Sequence, residues 1–242
     1  HRGDPTVKRG EREQTEVTVA VAGQPNSGKS TIFNCLTGAR QFVANYPGVT
    51  VEKRVGIYRY KGDTFVLVDL PGTYSLTSYS LEERVARDFL LHERPDLVLD
   101  IVDASNLERN LYLTFQLLEI GIPMVIVLNM VDVAWGRGFR IDLDELGREL
   151  SATVVPTVGN RGKGKRELRA AIWETFHNRE SSRPFRLDYG EALESVLRHL
   201  ERRLQSHSDL VGRYPPRWLA VKLMENDPEA RRLVQEALTE RG

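Results

Sequence analysis

Residues 17–30 read VTVAVAGQPNSGKS, and the fold turns on how this stretch is understood. A β-branched apolar run meets the spacing G-x-x-x-x-G-K-S, from Gly23 to Ser30. A helical stretch, KSTIFNCLTG, follows and closes on Gly38. Strand, glycine-rich turn and helix is the order in which successive backbone N–H groups face a phosphate chain. The helix N-terminus adds favourable partial positive charge there. In this reading Gly23, Gln24, Pro25, Asn26, Ser27, Gly28, Lys29, Ser30 and Thr31 line the phosphates. Gly23 and Gly28 allow the bend, Lys29 reaches the β- and γ-phosphates, and Ser30 offers a hydroxyl to magnesium.

Three further stretches occur in the order such a site requires. DLPG at 69–72 ends the third predicted strand; Asp69 holds magnesium through water and Gly72 offers its N–H to a γ-phosphate. NMVD at 129–132 ends the fifth, where open α/β sheets bind ligands. Asp132 accepts two hydrogen bonds from guanine N1–H and its exocyclic amine, a donor pair that adenine lacks. Such a site discriminates by roughly 10⁴–10⁵. Asn129 braces this loop, and Met130 packs over the base. NYPGVT at 45–50 places Thr50 on a mobile 42–50 loop that completes the magnesium site. The four stretches together define a guanine-nucleotide switch domain, with Asn26, Lys29, Thr50 and Gly72 as its catalytic set.

Elsewhere near-continuous apolar strands alternate with amphipathic helices, which predicts an α/β fold with a mostly parallel sheet covered on both faces. Six strands and five helices are expected between residues 17 and 178. One pair, VEKRVGIYRY and TFVLVDL, forms an antiparallel hairpin turning at Gly62. Ser80 with Glu83, and Ser105 with Glu108, read as capping boxes. After residue 178 the strand signals stop. A small helical module follows, with Leu193, Val196, Leu200 and Leu204 on one apolar face and Asp227-Pro228 opening the last helix. The domain reading is a polar tail at 1–16, a nucleotide-binding domain at 17–178 and a helical module at 179–242.

Formal net charge is zero over 242 residues, with 28% charged and 40% apolar. Nothing global favours nucleic acid as a partner. The single cysteine, Cys35, excludes an internal disulfide, fits a reducing compartment and reads as a small core residue. No apolar run approaches the ~18 residues that span a bilayer. His92, His177, His199 and His207 are scattered without metal-ligand spacing. Asp100 interrupts an otherwise apolar strand and marks a strand end, a paired carboxylate or a partner-sensitive position.

GQPNSGKSTIFNCLTG, NYPGVTVEKRVG, DLPGTYSL, DASNLERNLYLTFQLLEIGIPMVIVLNMVD and RWLAVKLMEND together resemble the FeoB family of prokaryotic ferrous iron transporters. NLERNLYLTFQLLE is the most specific of these stretches, because generic small GTPases do not carry it. The resemblance implies the P-loop GTPase fold followed by a helical domain. It also implies GTP hydrolysis coupled to Fe²⁺ uptake, a membrane domain of the same transporter as partner, and a place on the cytoplasmic face of the inner membrane, with self-association as a further option. Gln24 stands where the family commonly has asparagine. The base-contacting loop PTVGNRGKG lacks the usual Ser-Ala pair, and Val158, Gly159 and Asn160 align there instead. Thr73 occupies the position of the glutamine that orients water in Ras-type enzymes, which implies a slow intrinsic rate. Asn26 has an amide oxygen suited to a monovalent cation; in the potassium-activated GTPases that the family resembles, the matching asparagine helps hold K⁺. The competing reading of Asn26 is a turn-stabilising residue. The competing reading of the chain is a soluble P-loop GTPase of ribosome assembly or tRNA modification.

Overall fold

Strand β1 (Glu16–Gly23) lies at the centre of a seven-stranded sheet. The computed structural model describes residues 15–77, 79–179, 185–207, 210 and 212–239; most of the expected polar tail lies outside these. Val17, Val19 and Val21 of β1 join the hydrophobic cluster on one face, while Ala20 and Ala22 join the other. The period-two apolar pattern therefore builds two cores from one strand. Helix α1 (Lys29–Thr37) follows the phosphate loop. After it come β2 (Gln41–Asn45), β3 (Glu52–Tyr60) and β4 (Asp63–Asp69), then α2 (Leu81–Asp88), extended by a π-helical turn at Phe89–Glu93. The remaining elements of this domain are β5 (Leu97–Asp103), α3 (Leu107–Ile120), β6 (Met124–Asn129), α4 (Val131–Gly136), α5 (Leu143–Glu149), β7 (Thr153–Pro156) and α6 (Lys165–His177).

The order across the sheet is β2-β3-β4-β1-β5-β6-β7. Strands β4, β1, β5, β6 and β7 pair in parallel, and β3 joins β4 as the expected antiparallel hairpin. Two elements exceed the sequence expectation. Strand β2 is an edge strand antiparallel to β3, and it occupies the first part of the segment expected as a loop. It carries no burial alternation, since Phe42 and Val43 are both 63% exposed, so periodicity could not reveal it. Helix α4 brings the α-helices among the described residues of this span to six instead of five. Its six residues are too few to show a helical period.

The capping box at Ser80–Glu83 forms in full, but that at Ser105–Glu108 does not. Asp103 accepts from both the backbone N–H and the hydroxyl of Ser105, each at 2.8 Å. Residues Ala104–Asn106 form a 3₁₀ turn and α3 begins behind Asn106, without a side-chain cap. Asp103 is itself the cap of this turn, a charged and so stronger acceptor for backbone N–H groups, and Ser105 falls inside the turn instead of at its start. Asp100 lies inside the central strand β5, fully buried, and Thr114 donates to its Oδ2 at 2.5 Å. Cys35 is half-buried instead of belonging to the core.

Helices α7 (Glu191–Gln205), α8 (Pro216–Met224) and α9 (Pro228–Thr239) form the C-terminal module. The apolar face of α7 is turned from the one expected: Leu197 and Leu204 are buried, whereas Leu193 and Val196 are exposed. Packing against Trp218–Val221 of α8 selects Leu197 over its neighbour Val196. Arg217 of α8 ties the module together, donating to Glu194, to Glu201 and to the Leu187 carbonyl. Asp227 caps α9 by accepting from Ala230 N–H at 2.9 Å. The module meets α2 and α3 through the His92–Tyr214 hydrogen bond, the bond from Arg94 to the Gly212 carbonyl, and that from Tyr189 to Glu119. Among the described residues no helix is long and apolar enough to cross a membrane.

Candidate nucleotide-binding site

The ends of β1, β4 and β6 bring the sequence-predicted residues to one edge of the sheet. The phosphate loop turns through left-handed backbone at Asn26 (φ 67°) and Gly28 (φ 88°), and a turn closes from Ser27 N–H to the Gln24 carbonyl at 3.2 Å. Glycine is required at 28 for space as well as for φ. A Cβ there would sit 2.2 Å from Asn129 Nδ2. Pro25 and Asn26 are exposed at the crown of the loop, Ser30 and Thr31 are exposed at the start of α1, and Ser27 is buried beneath it. Gln24 is buried as well, and its side chain donates to the Arg109 carbonyl of α3 at 2.6 Å.

The 69–72 stretch packs against this loop. A Cβ on Gly72 would stand 3.5 Å from Pro25 N, and Thr73 N–H donates to the Gly23 carbonyl at 3.4 Å. Thr73 is itself buried, so its hydroxyl is withdrawn from solvent. Lys29 forms an ion pair with Asp69. Burial pushes the Asp69 carboxyl above its ordinary value, and the Lys29 charge opposes that shift. Thr50 is exposed on the loop after β2.

Asn129 is the structural centre of the site. Its Nδ2 donates to the Ser27 carbonyl at 3.0 Å, while its Oδ1 accepts from Thr157 Oγ1 at 3.1 Å and from Gly159 N–H at 3.0 Å. One buried amide therefore fastens the phosphate loop to the 157–160 loop. Met130 adopts φ 58° and its methyl group approaches Gly28, while Asp132 sits half-buried in the first turn of α4. Val158 is buried, Gly159 lies against Ile32 and Thr31 of α1, and Asn160 is exposed. The part played by Thr157 is invisible in the sequence, because its partner lies 28 residues away. Tyr46 was likewise not expected at the site, although an aromatic residue in a polar loop is a signal of an anchor.

The donor set tests whether magnesium fits. Ser30 and Thr50 supply hydroxyls and Asp69 a buried carboxylate, all hard oxygen donors. Few protein ligands suffice for an ion that keeps waters and phosphate oxygens. Asn26 presents an exposed amide with a hard oxygen at the loop crown. Among the described residues no three His, Cys, Asp or Glu side chains gather as a metal cage.

Residues 17–172 match the family model for ferrous iron transport protein B, and residues 189–241 match that of the FeoB cytosolic helical domain. The cytosolic domain of the T. maritima FeoB iron transporter in a GDP form superposes with a TM-score of 0.85 at 41% identity, covering 93% of this chain and 86% of that one. Its GMPPNP form gives 0.84 at 41% identity, covering 92% and 85%. The Fe(2+) transport protein A/Fe(2+) transporter FeoB fusion protein of Porphyromonas gingivalis is 45% identical over 91% of this chain and 26% of its own length. The Fe(2+) transporter FeoB of Shigella flexneri is 42% identical over 92% of this chain and 28% of its own. The chain thus spans about a quarter of the length of these curated relatives. With both family models matched in chain order and the fold shared with solved cytosolic domains, the chain belongs to the FeoB family, as its G domain and helical domain.

Proposed function

We propose that this chain binds guanine nucleotides, hydrolyses GTP slowly, and thereby regulates or drives ferrous iron uptake by a FeoB transporter at the cytoplasmic face of the membrane. The observation that carries the nucleotide reading is Asn129, whose single side chain joins the phosphate loop to the loop beside Asp132. Residues 17–178 act as the G domain and 179–242 as the helical module, and the chain partners the membrane domain of the same transporter. Asp132 reads the guanine edge, Met130 covers the base, and Val158, Gly159 and Asn160 close its far side. Gly23 to Thr31 hold the phosphates, with Lys29 released from Asp69 to do so.

Ser30, Thr50 and Asp69 would hold magnesium, which when bound neutralises charge on the β- and γ-phosphates. Gly72 offers its N–H to the γ-phosphate, and because Thr73 has no reach to the attacking water, backbone groups or another residue orient it. Asn26 would hold K⁺ at the loop crown, where it is exposed on left-handed backbone. The test combines selectivity and cation dependence. GDP is expected to bind far more tightly than ADP, and Asp132→Asn to transfer preference to xanthosine nucleotides. GTP hydrolysis is expected to run faster in K⁺ than in Na⁺ at equal ionic strength, and Asn26→Ala to remove the difference while GDP still binds. Equal affinity for GTP and ATP would end the guanine reading. Equal rates in the two salts would end the role of Asn26.

A further inference from the structure

We propose that Tyr46 is a positioning residue: it is the fixed end of the loop that carries Thr50, and it holds that loop to the strand end that carries Asp69. This rests on the GTPase reading above. Within residues 42–50, Tyr46 alone is buried, at 6% exposure, while Phe42, Val43, Pro47, Gly48 and Thr50 are exposed.

Three kinds of contact hold it. Its hydroxyl donates to the Asp69 backbone carbonyl at 3.1 Å. Its ring meets Phe89, in the π-helical turn that extends α2, edge-on with centroids 6.3 Å apart. The Lys53 ammonium stands 5.6 Å from the Tyr46 ring centroid and 5.4 Å from that of Phe89. The backbone closes the loop at the same residue: Tyr46 N–H donates to the Val51 carbonyl at 2.9 Å and Val49 N–H to the Tyr46 carbonyl at 3.3 Å.

The consequence is mechanical. A buried aromatic ring with a satisfied hydroxyl is costly to withdraw, whereas Pro47, Gly48 and Thr50 are exposed and give up little contact when they rearrange; Val49 between them is half-buried. The loop therefore pivots about Tyr46, and Thr50 approaches Asp69 from an end whose position is already set. Without the anchor, ordering the loop would fix more backbone dihedrals at an entropic cost, borne only by the state that places Thr50. GDP affinity does not depend on that state, because the phosphate loop and Asp132 lie outside it.

The test uses Tyr46→Phe, which keeps the ring and removes only the donor, alongside Tyr46→Ala. In nucleotide-free protein, amide exchange at Tyr46 and Val49 is expected to quicken by about tenfold or more in Tyr46→Ala. The kcat for GTP should fall by about tenfold in Tyr46→Ala and about threefold in Tyr46→Phe, with more magnesium needed for half-maximal rate and GDP affinity within about twofold of the unaltered protein. Unchanged kcat and magnesium dependence in both variants would overturn the proposal. So would loss of GDP affinity in step with loss of rate in Tyr46→Phe, which would make the role merely structural. If Tyr46→Ala fails to fold, Tyr46→Phe decides alone. Absence of GTP hydrolysis by the unaltered protein would instead fail the GTPase reading, and the proposal with it.

Discussion

Replacing Asp100 by asparagine should stabilise this protein, and should do so more at alkaline pH than at acid pH. Asp100 lies in β5 between Ala22 of β1 and Ile126 of β6, with Thr114 as its hydrogen-bond donor. Burial pushes its carboxyl from 3.8 up to about 7, and the Thr114 hydroxyl opposes part of that rise. The folded chain then keeps a proton that the unfolded chain has lost. Stability from this group is complete below the unfolded value, declines as pH rises from about 4 to about 7, and is flat above. Each tenfold change in proton affinity between the folded and unfolded chain is worth about 1.4 kcal/mol. The whole penalty is therefore about 4 kcal/mol, and the part between pH 5 and pH 8 is about 2–3 kcal/mol. Asparagine keeps an oxygen for Thr114 and cannot ionise. Denaturant unfolding of both proteins at the two pH values isolates the effect, because all other titrating groups cancel in the difference. Asp100→Asn should gain about 2–3 kcal/mol more over the unaltered protein at pH 8 than at pH 5, or roughly 5–10 °C in Tm. A gain that differs by less than about 0.5 kcal/mol between the two would refute a neutral buried Asp100.

Gly28→Ala should abolish tight GDP binding, since its Cβ would fall 2.2 Å from Asn129 Nδ2 at a φ of 88° and break the join between the two loops; calorimetric titration showing GDP affinity within threefold of the unaltered protein would refute this. Arg217→Ala should loosen the helical module by about 2 kcal/mol, read as faster amide exchange in α7 and α8 with GDP affinity unchanged. Because the hydrogen bond from Arg217 holds the Glu194 carboxyl down at about 2, the pair's contribution is complete above pH 4.5 and is lost as pH falls towards 2. A variant with the same acid sensitivity as the unaltered protein would contradict that account.

What could be read from the sequence was what chain-local physics dictates. The phosphate loop is legible because its glycines, its lysine and the flanking strand and helix all lie within a few turns of backbone. The hairpin at Gly62 is legible because two β-branched runs flank a turn. Strand β2 was not, because an edge strand with both faces exposed leaves no pattern of burial to detect. The face of α7 was misjudged by about one residue, since 193, 196, 200 and 204 satisfy helical spacing as well as the buried Leu197 does. Only the docking of α8 breaks the tie. At Ser105 a sound local rule lost to a stronger local acceptor, Asp103.

The candidate site divides along the same line. Individual residues declare themselves by type and spacing, but their joints do not. Asn129 reaches back 102 residues to the Ser27 carbonyl and forward 30 residues to the Gly159 amide, and neither partner is a side chain that a motif could specify. Gln24 reaches 85 residues to the backbone of Arg109, again through a carbonyl that any residue would supply. Side-chain amides suit this work, because one amide donates and accepts at once and so satisfies two buried backbone segments without placing a charge between them. A carboxylate at 129 could accept from Gly159 but would repel the Ser27 carbonyl. An aliphatic residue would leave both segments unpaired, at a cost of about 1–3 kcal/mol for each buried group. The chemistry of the site is thus written in its charged and hydroxyl residues, and its geometry in two buried amides whose partners only the fold brings within reach.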